Sequence, residues 1–148
     1  MKIRKLLKWK KDINIGSLHF YLDIKILALL ILTAAAVFYK LTSLGVTFWD
    51  EGDYLNAAAN VVEKGDIVYL GAGLKPLYVL FISIAMLVFG VHDYMGHAVS
   101  GLFGILTVYL VFLIAKKLFN KEIALISSLL LSTTGLFLLY SRIVAPDI

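Results

Sequence analysis

The residues best suited to chemistry are acids and bases at the edges of apolar stretches. Asp50 and Glu51 are adjacent carboxylates that follow two aromatic residues, Phe48 and Trp49. At a membrane surface the aromatic rings would lie at headgroup level, and one carboxylate could serve as a general base. The same pattern also fits a structural role, in which Asp50 caps a helix and Glu51 and Asp53 complement its dipole. The residues alone leave both interpretations open.

Two further residues suit the binding of an anion beside such a base, and a third is another acid. Lys75 precedes Pro76, which fits the first position of a helix, so the ammonium would lie where a phosphate binds well. Arg142 and Asp147 follow the last apolar stretch. Each has an ordinary explanation as a snorkelling lysine, a boundary arginine or a loop acid. Two cations and three carboxylates on one face would suit a phosphate-bearing substrate with a hydroxyl to deprotonate.

The composition shows which kind of protein carries these residues. Of the 148 residues, 61% are apolar and 16% are charged, against about 45–50% and ~25% in soluble domains. A soluble enzyme and a disordered tail are therefore excluded, and the absence of cysteine excludes a disulfide scaffold or a Cys-based zinc site. The net charge is +4, but six of the fourteen Lys/Arg residues lie within the first eleven positions. This cluster indicates a cytoplasmic juxtamembrane segment and not a nucleic-acid surface.

We predict an all-α membrane protein in which a basic cytoplasmic segment, 1–22, precedes the first span. Three transmembrane helices are expected at about 23–44, 98–118 and 123–140, with an extracytoplasmic loop at about 45–97. The apolar stretch 76–91 is short for a span, so we expect a juxtamembrane or re-entrant helix inside that loop. If it crossed, the lysines between the last two spans would lie outside, against the positive-inside rule. An alternative for the first run is a signal peptide cleaved near Ala34-Ala35-Ala36.

The loop itself contains a predicted amphipathic helix that starts near Asp50. Tyr54, Ala57 and Val61 share one helical face, and Gly65 is suited to the left-handed position after the helix. Downstream, His92, Asp93 and His97 are spaced poorly for a helical metal pair, and a polar loop accounts for them better. Ser100, Gly101 and Gly104 predict close helix packing.

The order of these elements resembles the N-terminal part of the GT-C class of membrane glycosyltransferases. The nearest branch contains the protein O-mannosyltransferases and aminoarabinose transferases. The motifs that carry the resemblance are Phe48-Trp-Asp50-Glu51-x-x-Tyr54, Lys75-Pro76-Leu77-Tyr78 and Tyr140-Ser141-Arg142-x-x-x-Pro146-Asp147. The resemblance implies a partial GT-C module over 23–148 in a multi-pass protein of a prokaryotic plasma membrane. Because such enzymes are several hundred residues long, it also implies an N-terminal fragment that is inactive alone.

The resemblance further implies a polyprenyl- or dolichyl-phosphate-linked sugar as donor and inverting transfer on the extracytoplasmic face. The acceptor would be a protein, a lipid or a glycan. Asp50 would be the base, supported by Glu51, and Asp147 would be the acid of the second loop. Tyr54, Lys75 and Arg142 would bind the substrate. No cofactor is expected, and no motif supports a divalent metal. The alternatives are a transporter piece, whose spans should carry acids, and a small membrane scaffold without catalysis.

Overall fold

The computed structural model describes residues 24–65 and 75–146, and every regular element in these ranges is helical. The predicted basic segment 1–22 and Asp147 lie outside the described residues. The elements in chain order are α1 (Ile24–Phe38), a short 3₁₀ turn (Leu41–Ser43), α2 (Trp49–Lys64), α3 (Pro76–Phe89), α4 (Tyr94–Leu118), α5 (Lys121–Thr133) and α6 (Gly135–Tyr140). The all-α prediction is confirmed.

Two helical segments of the described chain are long and apolar enough to cross a membrane. They are Ile24–Ser43, near the N-terminus, and Tyr94–Leu118, which correspond to the first two predicted spans. α3 has 14 residues, which is about 21 Å of helix and less than a bilayer core of about 30 Å. It is short, as the sequence predicted for the stretch 76–91.

The predicted third span, 123–140, is not confirmed as one helix. α5 ends at Thr133 and α6 begins at Gly135, because the extended ψ of 125° at Thr134 interrupts the helix. The hydroxyls of Thr133 and Thr134 donate to carbonyls of the preceding turn, at 2.8–3.2 Å. Such bonds from side-chain hydroxyls to the helix backbone compete with the helix and often bend or end it. Gly135, at the next position, favours the break, because glycine is the weakest helix former after proline.

α1 and α5 both run antiparallel to α4. At one end of the bundle, Ile26 of α1 and Ala124 of α5 share a buried apolar cluster with Phe112 and Ala115, near the end of α4. We call this the lysine end, because the lysines that close α4 and open α5 lie there. At the opposite end, which we call the loop end, α1 finishes, α4 begins and the chain leaves α6.

A second buried cluster lies at the loop end and joins α2 and α3 to the start of α4. It contains Tyr54 and Ala58 of α2, Tyr78 and Ile82 of α3, and Val99 of α4. The helix predicted in the loop is therefore present, and it buries the predicted face. Its end also follows the sequence, because Gly65 takes the left-handed conformation with φ 67°.

Candidate functional site

A cavity of about 340 Å³ opens at the loop end between α3, α4 and the segment that follows α6. This volume lies within the range of about 300–1,000 Å³ that is usual for ligand pockets. Its lining residues are Lys75, Leu77, Tyr78, Phe81, Phe103, Thr107, Ala145 and Pro146. Among the described lining residues one is a cation, Lys75, and most of the others are apolar or aromatic. The cavity therefore suits a ligand that joins an anionic group to an apolar chain.

The aromatic wall of the cavity is fixed by hydrogen bonding and ring contacts. The Ser100 hydroxyl donates to the Gly96 carbonyl at 3.2 Å, so the Tyr78 hydroxyl, 2.5 Å from Ser100 Oγ, is the donor of that pair. The rings of Tyr54 and Tyr78 meet edge to face, with centroids 5.3 Å apart. Tyr54 is therefore one ring removed from the cavity and is buried in the core.

Lys75 lies in the cavity because α3 begins directly after it. Pro76 occupies the first turn of α3, where a missing N–H costs nothing. Lys75 has an extended backbone conformation and occupies the N-cap position of α3, without a side-chain capping hydrogen bond. Lys75 is therefore the residue at the N-terminus of α3, whereas the binding of an anion by its ammonium stays a prediction.

The opposite wall is formed by the segment after α6. Contacts with α1 and with α4 hold this segment in place. The Arg142 guanidinium donates to the carbonyls of Ala36, at 2.7 Å, and Tyr39, at 2.8 Å, at the end of α1. Its own carbonyl lies 2.6 Å from Nδ1 of His97 in the first turn of α4. Val144 is fully buried, and the two residues that follow it line the cavity.

Glycines let this segment and α1 lie close to α4. A Cβ on Gly96 would lie 2.8 Å from Val144 Cγ1, and one on Gly104 would lie 2.5 Å from Ser141 Oγ. Gly101 meets α1 in the same way, with Val37 Cγ1 at 2.8 Å from its would-be Cβ. These approaches are too short for a larger residue, so the close packing predicted from the small residues is confirmed.

The two adjacent acids take different environments at the start of α2. The helix begins at Trp49, one residue before Asp50, and Phe48 holds the cap position without a side-chain hydrogen bond. The alternative in which Asp50 caps the helix is therefore wrong, and its side chain is exposed. Glu51, in contrast, is 1% exposed.

Glu51 occupies the third helical position and its side chain reaches back toward the chain before the helix. The Thr47 N–H donates to Glu51 Oε2 at 3.5 Å, in the manner of the return arm of a capping box. Its other oxygen, Oε1, is buried and makes no hydrogen bond to the described residues. Since buried carboxylate oxygens normally have partners, Oε1 is an unsatisfied acceptor within the described part of the chain.

Among the predicted site residues that the structure describes, only Lys75 lines the cavity. Tyr54 contacts the ring of Tyr78, which belongs to the cavity wall. The side chains of Asp50, Glu51 and Arg142 are not among the lining residues. Their catalytic and binding roles therefore stay predictions.

The sequence predicted that His97 lies in a polar loop, and this prediction is wrong. It lies on α4 and is 1% exposed. Its spacing from Ser100, Gly101 and Gly104 marks one helical face, which is the signal that could have identified it as buried. His92 is separate and stacks on Tyr94. Within 24–65 and 75–146, no three His, Asp or Glu side chains are grouped to hold a metal ion.

The described elements are all helical, two helical segments are apolar and of spanning length, and an apolar cavity is lined by a lysine, which are features of a membrane-embedded protein. The family model described as dolichyl-phosphate-mannose-protein mannosyltransferase matches residues 75–148, which is half of the chain. The chain belongs to this family of membrane glycosyltransferases. The matched region includes Lys75, Arg142 and Asp147, whereas Asp50 and Glu51 precede it.

Among curated proteins, the chain is similar to an uncharacterized protein of Aquifex aeolicus (strain VF5). The two are 28% identical over 131 residues, which cover 84% of this chain and 26% of that relative. The chain thus spans about a quarter of the length of the curated relative it matches. No solved structure matches it significantly.

Proposed function

We propose that the protein containing this chain transfers a sugar from a polyprenyl-phosphate donor to an acceptor hydroxyl, with inversion at the anomeric carbon. The observation that carries the proposal is the cavity at the loop end. Its apolar and aromatic walls suit the isoprenoid chain, and the Lys75 ammonium suits the phosphate. Family membership supports the same class of donor.

The reaction needs one base and stabilisation of one leaving group. The acceptor oxygen attacks the anomeric carbon, its proton passes to a carboxylate, and the bond from that carbon to the phosphate oxygen breaks. The lipid phosphate leaves with the bonding electrons, and Lys75 stabilises its added charge. We assign the base to Asp50, whose side chain is exposed, and a supporting role at the start of α2 to Glu51. Asp147 would be the acid of the second loop.

The side of the membrane follows from charge. Lys116, Lys117 and Lys121 lie at the lysine end, where α1 begins, and the acids of α2 lie at the loop end. Because positive loops stay in the cytoplasm, we propose that the loop end faces the extracytoplasmic side of a prokaryotic plasma membrane. Transfer would occur there. A transporter is less well supported, since α1 and α4 contain no acidic residue.

The test is sugar transfer in membranes that contain the full-length protein, with a radiolabelled polyprenyl-phosphate sugar as donor. Asp50→Asn should lower kcat by about 10²–10⁴-fold, the usual contribution of a general base. Asp53→Asn is the matched control, because it removes the same charge from an exposed position on the same helix. Undiminished turnover in Asp50→Asn would exclude this residue as the base. Absence of transfer with every lipid-linked sugar tried would refute the function itself.

A further inference from the structure

His97 makes a buried contact that the proposed reaction does not use. Its Nδ1 lies 2.6 Å from the Arg142 carbonyl oxygen, and the two residues are 45 positions apart in the chain. A carbonyl can only accept, so Nδ1 must carry the proton and donate. Nε2 is equally buried but has no hydrogen-bond partner in the described part of the chain. The contact is therefore made through one defined nitrogen.

This hydrogen bond acts on the segment that forms one wall of the cavity. The carbonyl it holds belongs to Arg142, and Ala145 and Pro146 of the same segment line the cavity. Val144 lies between Arg142 and Ala145 in the chain and packs against α4 at Gly96, the residue next to His97. The imidazole and the glycine together fix how far the segment stands from α4. The opposite wall, which includes Tyr78, is held to the same helix through Ser100.

Both walls of the cavity are thus attached to the first two turns of α4. The Ala145–Pro146 wall is held through His97, and the wall that includes Tyr78 is held through Ser100. A change at His97 would shift the Ala145–Pro146 wall and leave the Lys75 wall in place. The cavity would change width without any loss of a residue that touches the ligand.

We propose that His97 is a positioning residue for the donor site, and that its Nδ1–H···O=C bond to Arg142 sets the width of the cavity. This inference rests on the proposed function in naming a lipid-linked sugar as the occupant. It concerns a residue that contacts neither the donor nor the reacting atoms.

Three substitutions separate the positioning role from other roles. His97→Asn places an amide donor near the position of Nδ1 and removes Nε2. His97→Gln carries its amide farther out, toward the position of Nε2, and His97→Leu keeps bulk without a donor. If Nδ1 alone matters, Asn should retain function, whereas Gln and Leu should lose it.

The first measurement is steady-state transfer by the full-length protein in membranes. His97→Leu should raise KM for the lipid-linked donor roughly tenfold, the factor that corresponds to one buried hydrogen bond, with much less effect on kcat. His97→Asn should stay close to wild type in both constants. An unchanged KM in His97→Leu would overturn the proposal. A fall in kcat shared equally by Asn and Leu would also overturn it, because the imidazole would then act in the chemistry.

The second measurement reports the geometry without any turnover. Leu77→Cys and Ala145→Cys place one thiol on each wall, and the 148 residues contain no other cysteine. A short bifunctional thiol reagent should cross-link this pair at similar rates with His97 and with His97→Asn, and more slowly with His97→Leu. Equal rates in all three would refute the positioning role.

The two measurements also separate this inference from the proposed function. If wild type transfers no sugar but the cross-linking rates differ as expected, the function is wrong and the positioning of the wall stands. If His97→Leu does not accumulate, the comparison of His97→Gln with His97→Asn decides, because both keep a polar side chain at this position. A pair of variants that behave alike in both assays would then count against the proposal.

Discussion

Replacement of Arg142 by methionine should destabilise the protein through the loss of contacts to α1. The guanidinium donates to the carbonyls of Ala36 and Tyr39 at 2.7 and 2.8 Å. These carbonyls lie at the end of α1, where backbone donors run out and the helix dipole is negative. Methionine keeps most of the side-chain length but provides no donor and no charge.

The expected loss is about 2–3 kcal/mol in the free energy of unfolding. A hydrogen bond from a charged donor contributes about 1.5–3 kcal/mol when well shielded. Because Arg142 is half-exposed, we take about 1 kcal/mol for each of the two bonds and ~0.5 kcal/mol for the dipole. The total corresponds to a factor of roughly 30–150 in the folding equilibrium.

The assay is unfolding of the purified protein in mild detergent by added dodecyl sulfate, followed by circular dichroism. Arg142→Lys should lose about half as much as Arg142→Met, because an ammonium keeps the charge but lacks the planar fork that reaches both carbonyls. Lys40→Met is the matched control, since Lys40 is an exposed cation that also lies at the end of α1. Equal shifts in Arg142→Met and Lys40→Met would refute the reasoning, because charge alone would then explain the effect.

Two further substitutions test the packing and the helix ends. Gly101→Ala should cost about 1–3 kcal/mol in the same unfolding assay through overpacking, because its Cβ would lie 2.8 Å from atoms of α1, whereas Gly45→Ala, with nothing within 4 Å, should be nearly neutral. Asn120→Ala should cost ~1 kcal/mol, because Asn120 Oδ1 accepts the N–H of Ile123 at 2.9 Å at the start of α5. Asn120→Asp, which keeps the acceptor, should stay near wild type, and a similar loss in both Asn120 variants would argue against the cap.

Local chemistry was sufficient to predict where several helices begin and end. Gly65 and Pro76 mark the end of α2 and the start of α3, because each residue restricts or permits a particular backbone conformation. The length of the apolar stretch 76–91 was sufficient to predict a helix shorter than a span, observed as Pro76–Phe89. The break of the last apolar stretch at Thr134 was missed, although Ser132-Thr-Thr-Gly135 carries its signal. Hydropathy averages do not register competition between hydroxyl groups and the helix backbone.

The contacts that shape the candidate site could not be predicted in the same way. The bonds of Arg142 to α1 and of His97 to Arg142 join residues far apart in sequence, and their partners are carbonyl groups. Every residue has a carbonyl group, so a sequence gives no sign of which one a side chain will meet. Glu51 shows the same limit, because a shift of one residue in the start of α2 decides which acid is buried.

The contact between Arg142 and α1 also has a consequence for the order of events during synthesis. Ala36 and Arg142 are separated by 106 positions, which a ribosome covers in roughly 5–20 s at about 5–20 residues per second. α1 must therefore be made, and α2 to α6 must follow, before the guanidinium exists. Arg142 cannot help α1 to form. It can hold this end of α1 only once the intervening helices are in place. The contact therefore forms after all the helices from α1 to α6 have been made.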